Sequence, residues 1–67
     1  MTGKVEFYAD TGQGVITDEN GSNVEFHTRE IRAELRGRWT PRPGDQVQFF
    51  MVDGRARNVR PRPKEEI

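Results

Sequence analysis

The chain has no cysteine. That absence excludes a disulfide scaffold, a cysteine-ligated zinc site and a thiol nucleophile. It has one histidine, His27, too few for a strong transition-metal constellation. Its single serine, Ser22, lies five residues before His27. On a strand that odd separation sends the two side chains to opposite faces, and no third group completes a triad. Asp18-Glu19 reads as a solvated loop pair rather than an acid/base dyad. The expectation is a non-enzyme without a cofactor or metal. Long apolar runs are missing too. The longest, Phe49-Phe50-Met51-Val52, is far short of the ~20 residues a membrane span needs. The opening Met1-Thr2-Gly3-Lys4 has no apolar stretch of the kind that marks a secretory signal. A soluble, cytoplasmic protein is expected.

Net charge is also missing, with 11 basic and 11 acidic residues among 67. The balance conceals an asymmetry. Residues 1–28 carry one cation, Lys4, against five acids; residues 29–67 carry ten cations against six acids. A polyanion should be drawn to surfaces built by the second half. Hydrophobic content is only 31%, so the core is small and stability marginal. Closing a sheet into a barrel suits such a chain, because closure encloses a core and removes edges.

The pattern along the chain is all-β. Gly3 to Ala9 reads as a first strand and Gly14 to Thr17 as a second. After the Asn20-Gly21 turn, Asn23 to Thr28 alternates, with Val24 and Phe26 on one face and Glu25 and His27 on the other. Thr28 to Arg36 has a threonine cap, Ala33, Glu34 and the Ile31–Leu35 spacing of one or two helical turns, ended by Gly37. Thr40-Pro41-Arg42-Pro43-Gly44 is a rigid connection. Gln46 to Val52 alternates as a fourth strand, Asp53-Gly54 is a hairpin turn, and Arg55 to Arg60 pairs back as a fifth. Residues 1–60 form the domain. Pro61 and Pro63 open a loose tail over 61–67. The expected core is Val5, Ile16, Val24, Phe26, Ile31, Val47, Phe49, Met51 and Val59, with Phe50 turned outward. This layout matches a five-stranded antiparallel OB-fold barrel with a short helical turn between strands three and four. An SH3-like barrel is the nearest competitor.

Five segments resemble bacterial cold-shock domains, in order and nearly in register. Gly3-Lys4-Val5-Glu6-Phe7-Tyr8 is similar to their opening G-K-V-K-W-F. Thr11-Gly12-Gln13-Gly14-Val15-Ile16 resembles the first ribonucleoprotein-type motif, K-G-F-G-F-I. Asn23-Val24-Glu25-Phe26-His27-Thr28 resembles the second, D-V-F-V-H-F. Pro43 to Phe49 looks like the segment before the fourth strand, and Asn58-Val59 matches an N-V near the end. The resemblance implies a cold-shock-type OB barrel that binds single-stranded RNA or DNA, with an RNA-chaperone or transcription-regulating role. Its binding face stacks bases on rings from the first three strands, at about 1–3 kcal/mol each.

The departures fall on that face. Gln13 and Val15 stand where motif one has phenylalanines, and Glu25 and Thr28 replace two in motif two. Phe7, Tyr8 and His27 keep rings, and Lys4 keeps its charge. The resemblance therefore implies a weakened face of Lys4, Phe7, Tyr8, Gln13, Val15 and His27. A displaced surface around Arg29, Arg36, Arg38 and Trp39 would compensate, because arginine binds phosphate bidentately and stacks on bases; the other reading has Trp39 packing on the barrel's end with the arginines solvated. The alternative is a protein-interaction module, in which Glu6 and Glu25 dock a basic partner or a second copy. Arg36 to Gly44 is a candidate hinge for strand exchange in a homodimer.

Overall fold

The hydrophobic pattern sorts the chain into five strands, and a computed structural model describes them over residues 1–62. They are β1 (Thr2–Tyr8), β2 (Gln13–Asp18), β3 (Asn23–His27), β4 (Gln46–Val52) and β5 (Arg55–Pro61). All pair antiparallel in one sheet of order β3-β2-β1-β4-β5. The β4–β5 hairpin turns on Asp53 and Gly54, both at positive φ (52° and 78°). That is the backbone an Asp-Gly pair adopts most readily between twisted strands. No helix among the described residues is long and apolar enough to cross a membrane.

The curled sheet encloses Val5, Ile16, Val24, Phe26, Ile31, Val47, Phe49, Ala56 and Val59. Met51, expected inside, is 40% exposed. Its hairpin outruns the sheet: Met1 pairs its backbone with Phe49, and β1 supplies no partner beyond that point. Phe50 faces outward as expected and lies under the Arg60 guanidinium, 5.3 Å from the ring centre.

One other expectation gives way and one is refined. The sheet is barrel-like but does not close through a strand ladder. β3 and β5 pack beside each other, and the backbone link at the seam is an isolated parallel bridge between Ile31 and Val59. The expected one or two helical turns after β3 are present, but as two separate 3-10 turns, Thr28–Glu30 and Ala33–Leu35, split at Ile31. Both differences share a cause. Ile31 is buried in the core with extended backbone (φ −69°, ψ 143°), and Arg32 N–H donates to the Val59 carbonyl at 2.9 Å. Burying Ile31 and pairing with β5 outweighs the modest helix propensity of this stretch.

The C-terminal boundary shifts slightly. Pro61 belongs to β5, and Arg62 N–H donates to the Gln46 carbonyl at 2.9 Å. Arg62 points its N–H at β4, so the neighbouring proline nitrogen faces the free edge, where no donor is needed. The remainder of the expected tail, 63–67, lies outside the described residues.

Candidate nucleic-acid interface

A register shift in β1 decides which rings reach the outer face. Val5 pairs with Ile16 and Phe7 with Val15, so Glu6 is an extra residue in the strand. The bulge reverses the alternation beyond it. Phe7 turns outward and is 46% exposed, in one row with Val15 and Glu25 across β1, β2 and β3. Tyr8 turns inward. It lies opposite Gly14, which lies opposite Phe26, and its ring stacks on Phe26 with centres 6.0 Å apart and planes 16° apart. The two rings fill the space over Gly14: a Cβ there would stand 2.5 Å from Phe26. The Tyr8 hydroxyl hydrogen-bonds Thr28 Oγ1. Tyr8 is therefore a packing residue and not a second outward ring.

Gln13 and His27 are paired across β2 and β3, next to the Phe7 row. His27 is also the N-cap of the first 3-10 turn, a role expected of Thr28. Its Nδ1 accepts the Arg29 N–H at 3.3 Å, and its own N–H donates to Glu30 Oε1 at 2.9 Å. This reciprocal arrangement is a capping box. It fixes the imidazole with Nδ1 as acceptor and leaves Nε2 as the donor. Lys4 sits toward the other end of the face, opposite Thr17 and Gln46, in a hollow that also contains Glu19 and Arg62. Glu6 accepts a 2.7 Å hydrogen bond from the Thr17 hydroxyl on the same side of the sheet.

The displaced surface separates into two parts. Arg29 and Arg36 line a cleft of about 350 Å³ between the 3-10 turns and β5. Arg36 is anchored there: its Nε donates to the Ile31 carbonyl at 3.1 Å and its Nη2 to the Arg29 carbonyl. Arg38 is exposed and is not part of that lining. Trp39 is half-buried and packs against the core with Leu35 and Tyr8, so it is not an open stacking platform. Its N–H donates to the Leu35 carbonyl at 3.0 Å, drawing the chain back over the core.

The residue that sequence reasoning missed is Glu30. Its side chain is 7% exposed and accepts from Arg55 Nη2 at 2.7 Å and Arg55 Nε at 3.3 Å; Arg57 Nε stands 3.6 Å away. Burial pushes this carboxyl up. Hydrogen bonds and charge from Arg55, the His27 N–H and the Arg57 charge outweigh burial and hold it below the ordinary value of 4.5. Glu30 follows His27 by three positions, the spacing of a capping box, but histidine at the cap position hid the signal.

No family model matches this sequence, and no curated protein matches it.

Proposed function

We propose that the protein binds single-stranded RNA or DNA across the outer face of β1, β2 and β3. The observation that carries this reading is the bulge at Glu6, which presents Phe7 outward beside Val15, on the same face as Gln13 and His27. A half-exposed ring on a sheet face is a sequence-tolerant surface for a base. Gln13 and His27 Nε2 add donors beside it. The motif resemblance to cold-shock domains and the five-strand order support the same reading. The binding is weak because one outward phenylalanine remains on the face, and Glu6 and Glu25 repel phosphate. An RNA-chaperone or transcription-regulating role follows from the resemblance alone.

The test is titration of a short oligo-U or oligo-dT strand by calorimetry at low and physiological salt. Saturable binding that weakens with salt is expected, and Phe7→Ala reduces affinity about fivefold or more, corresponding to ~1 kcal/mol of stacking. Equal affinity for wild type and Phe7→Ala removes the sheet face from the site.

A second reading keeps the fold and changes the ligand. Glu6 and Glu25 are both exposed on this face, where Lys4 is the one cation placed by the first three strands. That surface suits a basic protein segment. Glu25→Gln separates the readings: it strengthens oligonucleotide binding under the first and weakens capture of a basic peptide under the second.

A further inference from the structure

Two arginine-rich stretches, 29–42 and 55–62, are far apart in sequence, and the open seam between β3 and β5 brings part of each together. The cleft there is lined by Arg29, Arg32 and Arg36 from the segment after β3 and by Arg57 and Asn58 from β5, with Glu30 at its side. Four arginines and one glutamate therefore line one cleft. That carboxylate is already engaged: Arg55, from outside the lining, donates to both of its oxygens. Arg32 has only an exposed partner, Glu34, at 3.5 Å. Arg29 has no acidic partner within salt-bridge distance among the described residues. Arg36 is held in place by backbone carbonyls rather than by an acid. Arg57 Nε stands 3.6 Å from Glu30 Oε2, a carboxylate it shares with Arg55, so the cleft gathers more positive charge than its acids balance.

Backbone geometry supports the same placement. Asn58 has positive φ (55°) and sits at a register shift in β5, between the Gln48–Arg60 and Phe50–Arg57 pairs. Arg57 and Asn58, at this bulge, line the cleft together with residues of the 3-10 turns.

We propose that this cleft is a phosphate-binding site, in which Arg29, Arg32 and Arg57 engage the oxygens of one phosphate group and Arg36 positions the wall. Guanidinium forks match phosphate oxygens in charge and geometry. The site lies beside the sheet face, because the Arg29 N–H bonds the His27 ring itself. A strand running over Phe7 and His27 would continue into it. That source of the phosphate rests on the reading above; the site does not.

The test uses the wild-type chain and four variants. Titration with pyrophosphate at constant ionic strength, followed by amide resonances, should shift Arg29, Arg32, Arg57 and Asn58 saturably. Arg57→Gln and Arg32→Gln each weaken binding about tenfold. Both side chains are about half exposed, and Glu30 keeps Arg55, so these variants fold. Arg60→Gln, over Phe50 on the outer face, leaves binding unchanged. Shifts that do not saturate, or equal losses in Arg60→Gln and Arg57→Gln, overturn the site. Oligo-dT with and without a 5′-phosphate separates the sources: preference for the phosphorylated strand marks a terminal phosphate, and equal binding marks a phosphodiester. For the phosphodiester, Arg57→Gln lowers the salt slope by about 0.7, the share of one neutralised phosphate on a single strand. If Phe7→Ala abolishes oligonucleotide binding but keeps the pyrophosphate shifts, the two sites are independent. If pyrophosphate binds and no oligonucleotide does, the site stands and the nucleic-acid function falls.

Discussion

Glu30 Oε1 lies 2.7 Å from Arg55 Nη2, and this pair fastens two parts of the sheet that no strand ladder joins. Glu30 stands just beyond β3 and Arg55 begins β5. One carboxylate thereby caps the turn after His27 and ties the two sides of the open seam together.

Glu30→Gln should cost about 2 kcal/mol of stability, because it removes a nearly buried charge from its guanidinium partner. In a domain this small that is a large share of the total. Urea unfolding measures it; stability within about 0.5 kcal/mol of wild type would show that the pair does not hold the seam.

The same carboxyl sets an acid limit. Its folded value lies below 4.5, so the unfolded chain binds more protons in the window just below that value. Its contribution is therefore complete above about pH 4.5 and is lost as pH falls through the folded value. Stability measured from about pH 6 to pH 3 should fall more steeply in wild type than in Glu30→Gln. Some slope remains in the variant, because Thr2 hydrogen bonds hold Glu19 low as well.

Gly14→Ala should destabilise by about 2 kcal/mol through overpacking. The added methyl meets Phe26 at 2.5 Å and Tyr8 at 3.1 Å, and both rings are held in the core. Thermal unfolding with an unchanged midpoint would mean that the stacked pair parts freely.

Tyr8→Phe should lower stability by about 1 kcal/mol, the value of its hydroxyl bond to Thr28, and leave oligonucleotide affinity unchanged. Phe7→Ala should do the reverse. Loss of affinity in Tyr8→Phe would restore Tyr8 to the binding face.

Most of the strand plan was legible because alternation in short strands is a local signal. Val24 and Phe26 against Glu25 and His27 needed no tertiary knowledge, nor did the Asp53-Gly54 turn. The bulge at Glu6 was not legible. Nothing in Val5-Glu6-Phe7-Tyr8 says which residue is unpaired until β2 supplies the register. The two 3-10 turns were hidden for a related reason: Ile31 looks helical by spacing and is extended because the core takes its side chain.

The sequence by itself determined that this is a small all-β domain, where its turns lie, which face of each strand is apolar, and that positive charge gathers in its second half. Tertiary structure alone decided that Phe7 rather than Tyr8 faces out, that Trp39 is packing, and that Arg29, Arg32, Arg36 and Arg57 share one cleft. Strand alternation and turn chemistry act over a few residues, whereas register, seam contacts and the meeting of distant arginines depend on how β1, β5 and the segment after β3 pack together.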